Sequence, residues 1–355
     1  MDISRIDKNF SNLPADENGF LFRDVKLAPF RIEGLPWFRE NGEAYYRLPK
    51  SLTEREVNPG ALELSHHTTG VCVRFRSDSP EVMIRAVLAY SLDMNHMPRT
   101  GSAGFDSYRK LPGGRLLYDI TVQPSPNQKE ILAVCGRNPD GQLCEWTVNF
   151  PLYGGVEKVE IGLKEGSTIL PPREHKIKLP VLFYGSSITQ GGCASRPGNA
   201  YTSMLCRRVD AEQINLGFSG SGRGEIAVAE AIARLKLSAF VLDYDHNAPT
   251  PEHLRETHQP FFKAVRRAQP NLPIIMMSRC NFQTEDDAER REIIRKTFRQ
   301  ATEEGDRHVY FIDGETLFGG ELRDACTVDG CHPNDLGFYR MYRHVLPVLQ
   351  KALTD

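Results

Sequence analysis

The stretch "VLFYGSSITQGG" (Val181–Gly192) carries an apolar run straight into a glycine, two serines and a threonine. With the preceding Leu-Pro it reads "LPVLFYG", a compact run without polar alternation, as expected of a parallel strand buried on both faces. An ordinary strand-to-loop exit accounts for the hydroxyls. So does a serine nucleophile held where a buried strand ends. The neighbouring segments separate the two readings.

Towards the C-terminus, strand-like and helix-like segments alternate. "EIAVAEAIARLKL" (Glu225–Leu237) has helical spacing, with Ile226, Ala229, Ile232 and Ala233 on one side. "AFVLDYD" (Ala239–Asp245), "LPIIMMSR" (Leu272–Arg279) and "HVYFID" (His308–Asp313) read as buried strands. "PEHLRETHQPFFKAVRRAQP" reads as helix with a break or kink expected at Pro260. "DDAERREIIRKTFRQATEEG" is a charged helix ending at Gly305, and "NDLGFYRMYRHVLPVLQKAL" a final helix. This rhythm predicts βαβ units on a parallel sheet, whose site lies beyond the carboxyl ends of the strands.

Towards the N-terminus the rhythm changes. "GVCVRFRSDS" (Gly70–Ser79), "EVMIRAVLAY" (Glu81–Tyr90), "GRLLYDITV" (Gly114–Val122), "KEILAVCG" (Lys129–Gly136), "EWTVNFPLY" (Glu145–Tyr153) and "VEKVEIGL" (Val156–Leu163) are short apolar or β-branched runs. Turn-forming "LPGG", "SPNQ", "NPDGQ" and "YGG" punctuate them, which predicts an antiparallel sandwich. The change falls near "KEGSTILPPREHKIKLP", so a β-sandwich is expected over residues 1–175 and an α/β unit over 176–355.

Composition narrows the functional classes. With 40% hydrophobic and 25% charged residues the chain suits a packed globular protein. A net charge of −2 gives no support for a nucleic-acid partner, and no basic run suits a membrane surface. "MDISRIDKNFSNLPADENG" lacks the basic start and apolar core of a signal peptide, and no stretch approaches the ~20 apolar residues of a membrane span. A cytoplasmic chain is expected; its oligomeric state stays open. The eight cysteines form no CxxC pair and read as reduced core thiols. "CTVDGCH" (Cys326–His332) offers soft ligands, but no second cluster completes a zinc set, so no metal is expected.

The polar residues collect after the strands. Ser186 and Ser187 follow "VLFYG"; Phe218, Ser219, Gly220, Ser221 and Gly222 follow "QINLG"; His246 and Asn247 follow "AFVLDYD". Asp329 and His332 stand in "VDGCHPND", ahead of the last helix. On parallel neighbours the first three sets share one rim, and the fourth can reach it from the chain's end. A serine hydroxyl needs a base to take its proton, a histidine suits that task near neutral pH, and a carboxylate three residues away can orient the imidazole. A glycine N–H and an asparagine amide are suitable oxyanion donors. Each piece also has a plain role: a Gly-Ser-Ser turn, a strand-to-helix connection, a helix cap at His332, an Asx turn at Asn247.

Taken together, "YGSSIT", "NLGFSGSG", "DHN" and "DGCHPND" resemble the successive blocks of the SGNH/GDSL hydrolases, over roughly Pro180–Leu353. The resemblance implies a three-layer α/β/α domain, with Ser187 as nucleophile, Asp329 and His332 as acid and base, and Ser187 N–H, Gly220 and Asn247 as oxyanion hole. It implies no cofactor. The β-rich half resembles the jelly-roll-like accessory sandwich of some carbohydrate esterases and of an acyltransferase of polyketide biosynthesis. Two departures stand out: Ser186 occupies the family's Asp position, and the third block reads Asp245-His246-Asn247-Ala248.

The expected activity is cleavage of a short acyl ester, acetyl for instance, on a sugar or similar polar alcohol. GxSxG, HExxH and the Walker A pattern are absent, and no amphipathic lid suggests long-chain lipid. Acyl transfer would use the same machinery. A dinucleotide oxidoreductase is the second class: Asp243 follows "INLGFSGSGRGE" at the right spacing, but Gly220, Gly222 and Gly224 give GxGxG rather than GxGxxG. A non-catalytic carbohydrate-binding protein is the third, if Trp146, Phe150 and Tyr153 stack on sugar rings rather than fill the core.

Overall fold

The computed structural model describes residues 15–90, 93–280 and 284–355. The first half contributes β1 (Phe20–Asp24), β2 (Arg31–Glu33), β3 (Cys72–Ser77), β4 (Glu81–Leu88), β5 (Phe105–Lys110), β6 (Leu116–Val122), β7 (Glu130–Arg137), β8 (Cys144–Asn149), β9 (Val156–Lys164) and β10 (Ile169–Leu170). Two short helices accompany them, α1 (Pro59–Leu64) and α2 (Arg99–Ser102). The strands form two antiparallel sheets, ordered β1-β9-β4-β7 and β10-β3-β8-β5-β6, with β2 alongside β3. Alternate side chains of both sheets, among them Phe75, Ile84, Trp146 and Ile161, meet in one apolar layer.

The second half holds a parallel sheet of β11 (Ile177–Gly185), β12 (Ala211–Gly217), β13 (Ala239–Asp243), β14 (Ile274–Met277) and β15 (Val309–Ile312), ordered β12-β11-β13-β14-β15. Its helices are α3 (Ser187–Gln190), α4 (Tyr201–Val209), α5 (Ile226–Ala233), α6 (Pro251–Ala268), α7 (Asp287–Glu303) and α8 (Asp335–Ala352). The period of two in a strand sorts the sheet's side chains. Leu182, Tyr184, Phe240 and Leu242 pack with Ile232, Phe261 and Ile294 of α5, α6 and α7. Val181, Phe183, Val241 and Ile275 pack with Leu205 of α4 and Phe338 and Val345 of α8. Both faces of β11 are therefore covered. Each of its side chains from Val181 to Tyr184 is fully buried, which stabilises the fold by roughly 1.5–3 kcal/mol apiece. Both core layers extend into the first half, one through Trp37, Tyr46 and Leu48, the other through Met97, Leu152 and Tyr153.

Three local expectations need correction. Pro260 does not end its helix: α6 runs unbroken from Pro251 to Ala268, because one missing N–H leaves the helix's packing on the sheet intact. α5 is shorter than its pattern and rotated, burying Val228, Ala229, Ala231 and Ile232 and leaving Ile226 49% exposed. Trp146 and Phe150 are fully buried in the sandwich and Tyr153 is buried against the parallel sheet, so no sugar can stack on them. All eight cysteines are free thiols. Among the described residues no helix is long and apolar enough to cross a membrane.

A partly buried ionic cluster joins the halves at the amino ends of β11 and β12. Arg74 sits between Glu33 (2.7 Å) and Glu145, and His175 donates to Glu33 (2.9 Å) and Asp210 (2.8 Å). Burial disfavours charge on His175, but the bonds to Asp210 and Glu33 outweigh it and raise the imidazole from 6.5 to about 9. A raised histidine stabilises the fold fully below its unfolded value of 6.5 and loses that contribution as the pH climbs through about 9. We expect the melting temperature to fall between pH 7 and 9.5 in the wild type, and the fall to be largely absent in His175→Gln. Parallel melting curves for the two proteins would exclude this role.

Candidate active site

The register of β11 places three loops side by side. Gly185 pairs with Gly217 on one side and with Asp243 on the other, so the chain leaves all three strands at the same level. A Cβ on Gly185 would lie 2.1 Å from Thr189 Oγ1 and 2.3 Å from the Asp243 carbonyl, so only glycine permits this turn. Ser186 then caps α3, its Oγ accepting the Ile188 N–H at 3.2 Å. This is the work done here by the residue standing in the family's Asp position. Ser187 opens the helix, so its N–H has no helical carbonyl to bind.

Ser187 is 93% buried, and its Oγ lies 2.9 Å from His332 Nε2 although 145 residues separate them in sequence. His332 Nδ1 donates to Asp329 Oδ2 at 2.7 Å. That bond leaves Nε2 as the acceptor facing the serine hydroxyl. The Asp329–His332 turn is self-bracing: Asp329 Oδ1 accepts the N–H groups of Cys331 (3.0 Å) and His332 (2.7 Å). Burial pulls the Asp329 carboxyl up, yet the hydrogen bonds from the His332 backbone and imidazole and from Cys331 outweigh it and hold it down at about 2. The carboxylate is thus charged across the physiological range. Capping of α8 falls to Asn334, whose Oδ1 accepts from Leu336 and Gly337, so His332 has no capping duty.

After β12 the chain makes a tight turn in which Ser221 N–H and Gly222 N–H both donate to the Phe218 carbonyl. Gly220 stands at its exposed crest with φ +67°, a conformation that favours glycine. Asn247, beyond β13, donates from Nδ2 to the same Phe218 carbonyl at 2.7 Å, which ties the second and third loops together. The five sequence-nominated residues thus sit on adjoining loops at one edge of the sheet, with Ser187, His332 and Asp329 in direct contact.

The other nominated residues fall elsewhere. His246 lies between the thiols of Cys280 (3.6 Å) and Cys331 (3.9 Å), behind the triad turn, and burial pushes it down to about 3, so it stays neutral. Asp245 is buried against Arg290 and the Arg279 N–H. Asp243 is buried and accepts from Thr189 (3.0 Å) and Tyr201 (2.8 Å), which leaves it no reach to a ribose and removes the support for a dinucleotide site. Cys326 Sγ turns to the Leu322 carbonyl, and among the described residues no three His, Cys, Asp or Glu side chains gather as metal ligands.

Sequence reasoning missed the first half's share of this edge. The His96 ring stands 5.6 Å from that of His332, edge to face. Tyr153 is buried, and its hydroxyl stands beside Gly192, next to the Ser187 carbonyl and the His332 ring. Gln190, at the end of α3, accepts the Ser219 N–H at 2.9 Å. Gln190 lies within the "SSITQGG" stretch, and a buried amide there is a signal of its own; in the sequence Tyr153 stands out only as a residue that could stack on a sugar, and His96 gives no signal.

Ser186→Ala removes a helix cap and nothing that faces the serine hydroxyl. It is expected to cost about 1 kcal/mol of stability and to keep turnover within about fivefold of wild type, read from a urea melt and an esterase assay. A loss of turnover as deep as that of Ser187→Ala would mean that the wrong serine has been singled out.

Residues 178–350 match the model of the GDSL-like lipase/acylhydrolase family, and residues 20–169 that of the N-terminus of SGNH-hydrolase-type esterases. Among solved structures, a candidate GDSL-like lipase from Bacteroides ovatus is 27% identical, with 94% of this chain and 98% of that one covered and a TM-score of 0.85. The salicylyl-acyltransferase SsfX3 of a tetracycline biosynthetic pathway is 18% identical, with 94% and 97% covered and a TM-score of 0.77. A family two carbohydrate esterase from Clostridium thermocellum, solved with cellohexaose, is 13% identical, with 81% and 94% covered and a TM-score of 0.60. No curated protein matches the chain.

Proposed function

From the premise that this chain belongs to the GDSL-like lipase/acylhydrolase family, as a two-part SGNH-type ester hydrolase, we propose that it cleaves short acyl esters, acetyl above all, of a sugar or similar polar alcohol. The observation that carries the reading is the hydrogen-bonded chain Ser187 Oγ–His332–Asp329, at 2.9 and 2.7 Å, where the parallel strands end. Ser187 Oγ attacks the ester carbonyl as His332 Nε2 takes its proton. The oxyanion binds the N–H groups of Ser187 and Gly220 and the second amide N–H of Asn247. Collapse expels the alcohol, which leaves with the proton held on His332. Water, deprotonated by His332, then frees the acid from Ser187.

Hydrolysis is favoured over transfer by the openness of the far side of the triad. The side chains of His332 and Asp329 are 24% and 38% exposed, so water has access to the base that must activate it. The polar alcohol is suggested by His96 beside His332, and by the names of carbohydrate esterases with the same two-part fold. A panel of p-nitrophenyl acyl esters and acetylated sugars tests the reading. Turnover should be highest for acetyl and fall steeply with chain length. Preference for long acyl chains, or release of acyl product only when an acceptor alcohol is added, would displace it.

A further inference from the structure

The Phe218–Gly222 turn is braced from outside as well as by its own two hydrogen bonds. Its Ser219 N–H donates to Gln190 Oε1 at 2.9 Å. Gln190 is fully buried, and each of its polar groups is taken. Nε2 faces His67 Nδ1 at 3.1 Å and the Leu152 carbonyl at 3.3 Å, and its backbone carbonyl accepts the Thr69 hydroxyl at 2.7 Å. Its own N–H returns to the Ser186 carbonyl. His67, Thr69 and Leu152 all come from the sandwich half. His67 is kept neutral by burial, at about 3, so Nδ1 remains an acceptor for the amide at any working pH.

One side chain therefore joins three things: the helix that begins with Ser187, the turn that carries Gly220, and the accessory half. The peptide that follows Ser219 is the one whose N–H belongs to Gly220. The Gln190 bond holds the peptide before it and the Ser221 and Gly222 N–H bonds to the Phe218 carbonyl hold the turn after it, so the peptide between them has little room to turn. Glycine at the crest would otherwise leave the plane free to rotate.

We propose that Gln190 is a positioning residue, held by Thr69, His67 and Leu152 of the sandwich half, that aims the Gly220 N–H at the developing oxyanion. This rests on the ester-hydrolase reading and adds a function for the accessory half: it pre-sets the oxyanion hole. An oxyanion donor contributes only when it is already placed as charge develops, and a misplacement of about 1 Å can cost on the order of 100-fold.

Gln190→Met keeps the chain length and apolar bulk while deleting both polar ends. Turnover of p-nitrophenyl acetate is expected to fall roughly 10- to 100-fold, and the second-order rate of labelling by a fluorophosphonate, whose phosphoryl oxygen needs the same donors, by a similar factor. The acid limb of the pH–rate profile, which reports His332, should keep its position; a residue that merely supports the fold would lower thermal stability without this pattern. Wild-type rates in folded Gln190→Met, or a displaced acid limb, would overturn the proposal. Should that variant not fold, Thr69→Val removes only the anchor on the Gln190 carbonyl. It is expected to lose turnover several-fold with the acid limb unmoved, and full activity would overturn the proposal equally. The two readings fail differently: a wild type that neither turns over the ester nor takes the label refutes the hydrolase, whereas a live wild type matched by Gln190→Met refutes only the positioning.

Discussion

Ser187→Ala is expected to lose at least ~10³ in kcat/KM towards p-nitrophenyl acetate and all reaction with a fluorophosphonate, while its melting curve stays close to wild type. The size follows from the role. Without Oγ there is no acyl-enzyme, and what remains is the oxyanion hole acting on a water that no longer has the serine's placement. Stability should hardly change, because among the described residues Oγ bonds to His332 Nε2 alone and His332 keeps its bond to Asp329. His332→Ala should lose a comparable amount. The double variant should lose scarcely more than either, since a nucleophile and its base act as one unit and their deletions do not add. Additive losses would mean that the two side chains serve separate steps, whatever their 2.9 Å separation.

The residues that this candidate site brings together were legible in the sequence for a plainer reason. Its parts are short, local and chemically specific: a hydroxyl beyond an apolar strand, a glycine in a left-handed turn, an Asp and a His three residues apart. The βαβ rhythm then says that loops after parallel strands meet at one edge, and the pairing of Gly185 with Gly217 and Asp243 brings the first three sets together at one level. Elements with buried, satisfied polar residues were the ones not read. β5, "FDSYRK", lies inside its sheet, yet Asp106 and Ser107 make it look like loop. They are tolerated because Asp106 accepts from Asn149, Arg196 and the Gly198 N–H, and Ser107 donates to the Cys135 carbonyl. Those partners are 28 to 92 residues away, and no local pattern announces them. α4 escaped for a different reason: it is nine residues long with no capping side chain, so it lacks both signals by which a helix start is recognised. Gln190 and Arg47 belong with β5, as polar residues whose partners lie across the chain.

Arg47 carries the largest stability effect expected in the molecule. β12 is an edge strand, so the carbonyls of Asn215 and Gly217, two residues apart, point outward from the sheet with no neighbouring strand to receive them. Arg47 takes that strand's place. Its NH1 donates to Asn215 O (2.8 Å) and Gly217 O (2.9 Å), Nε to His67 O (2.7 Å) and NH2 to Leu64 O (2.7 Å), and the guanidinium lies 4.5 Å over the Phe218 ring. The side chain is fully buried and all four of these acceptors are carbonyls, so burial pushes its pKa down to about 9. Arg47→Met would fill much of the space but leave four carbonyls without their donor, at roughly 1–3 kcal/mol each. We therefore expect a loss of at least ~4 kcal/mol, a large part of the ~5–15 kcal/mol by which a protein of this kind is stable. Arg47→Lys should recover only part of it, because a single ammonium cannot reach two carbonyls on β12 and two more on the 64–67 segment at once. Urea titrations followed by circular dichroism would measure both variants. An Arg47→Met midpoint at the wild-type value would show that the edge of β12 is satisfied without the guanidinium, and that the two halves are held together elsewhere.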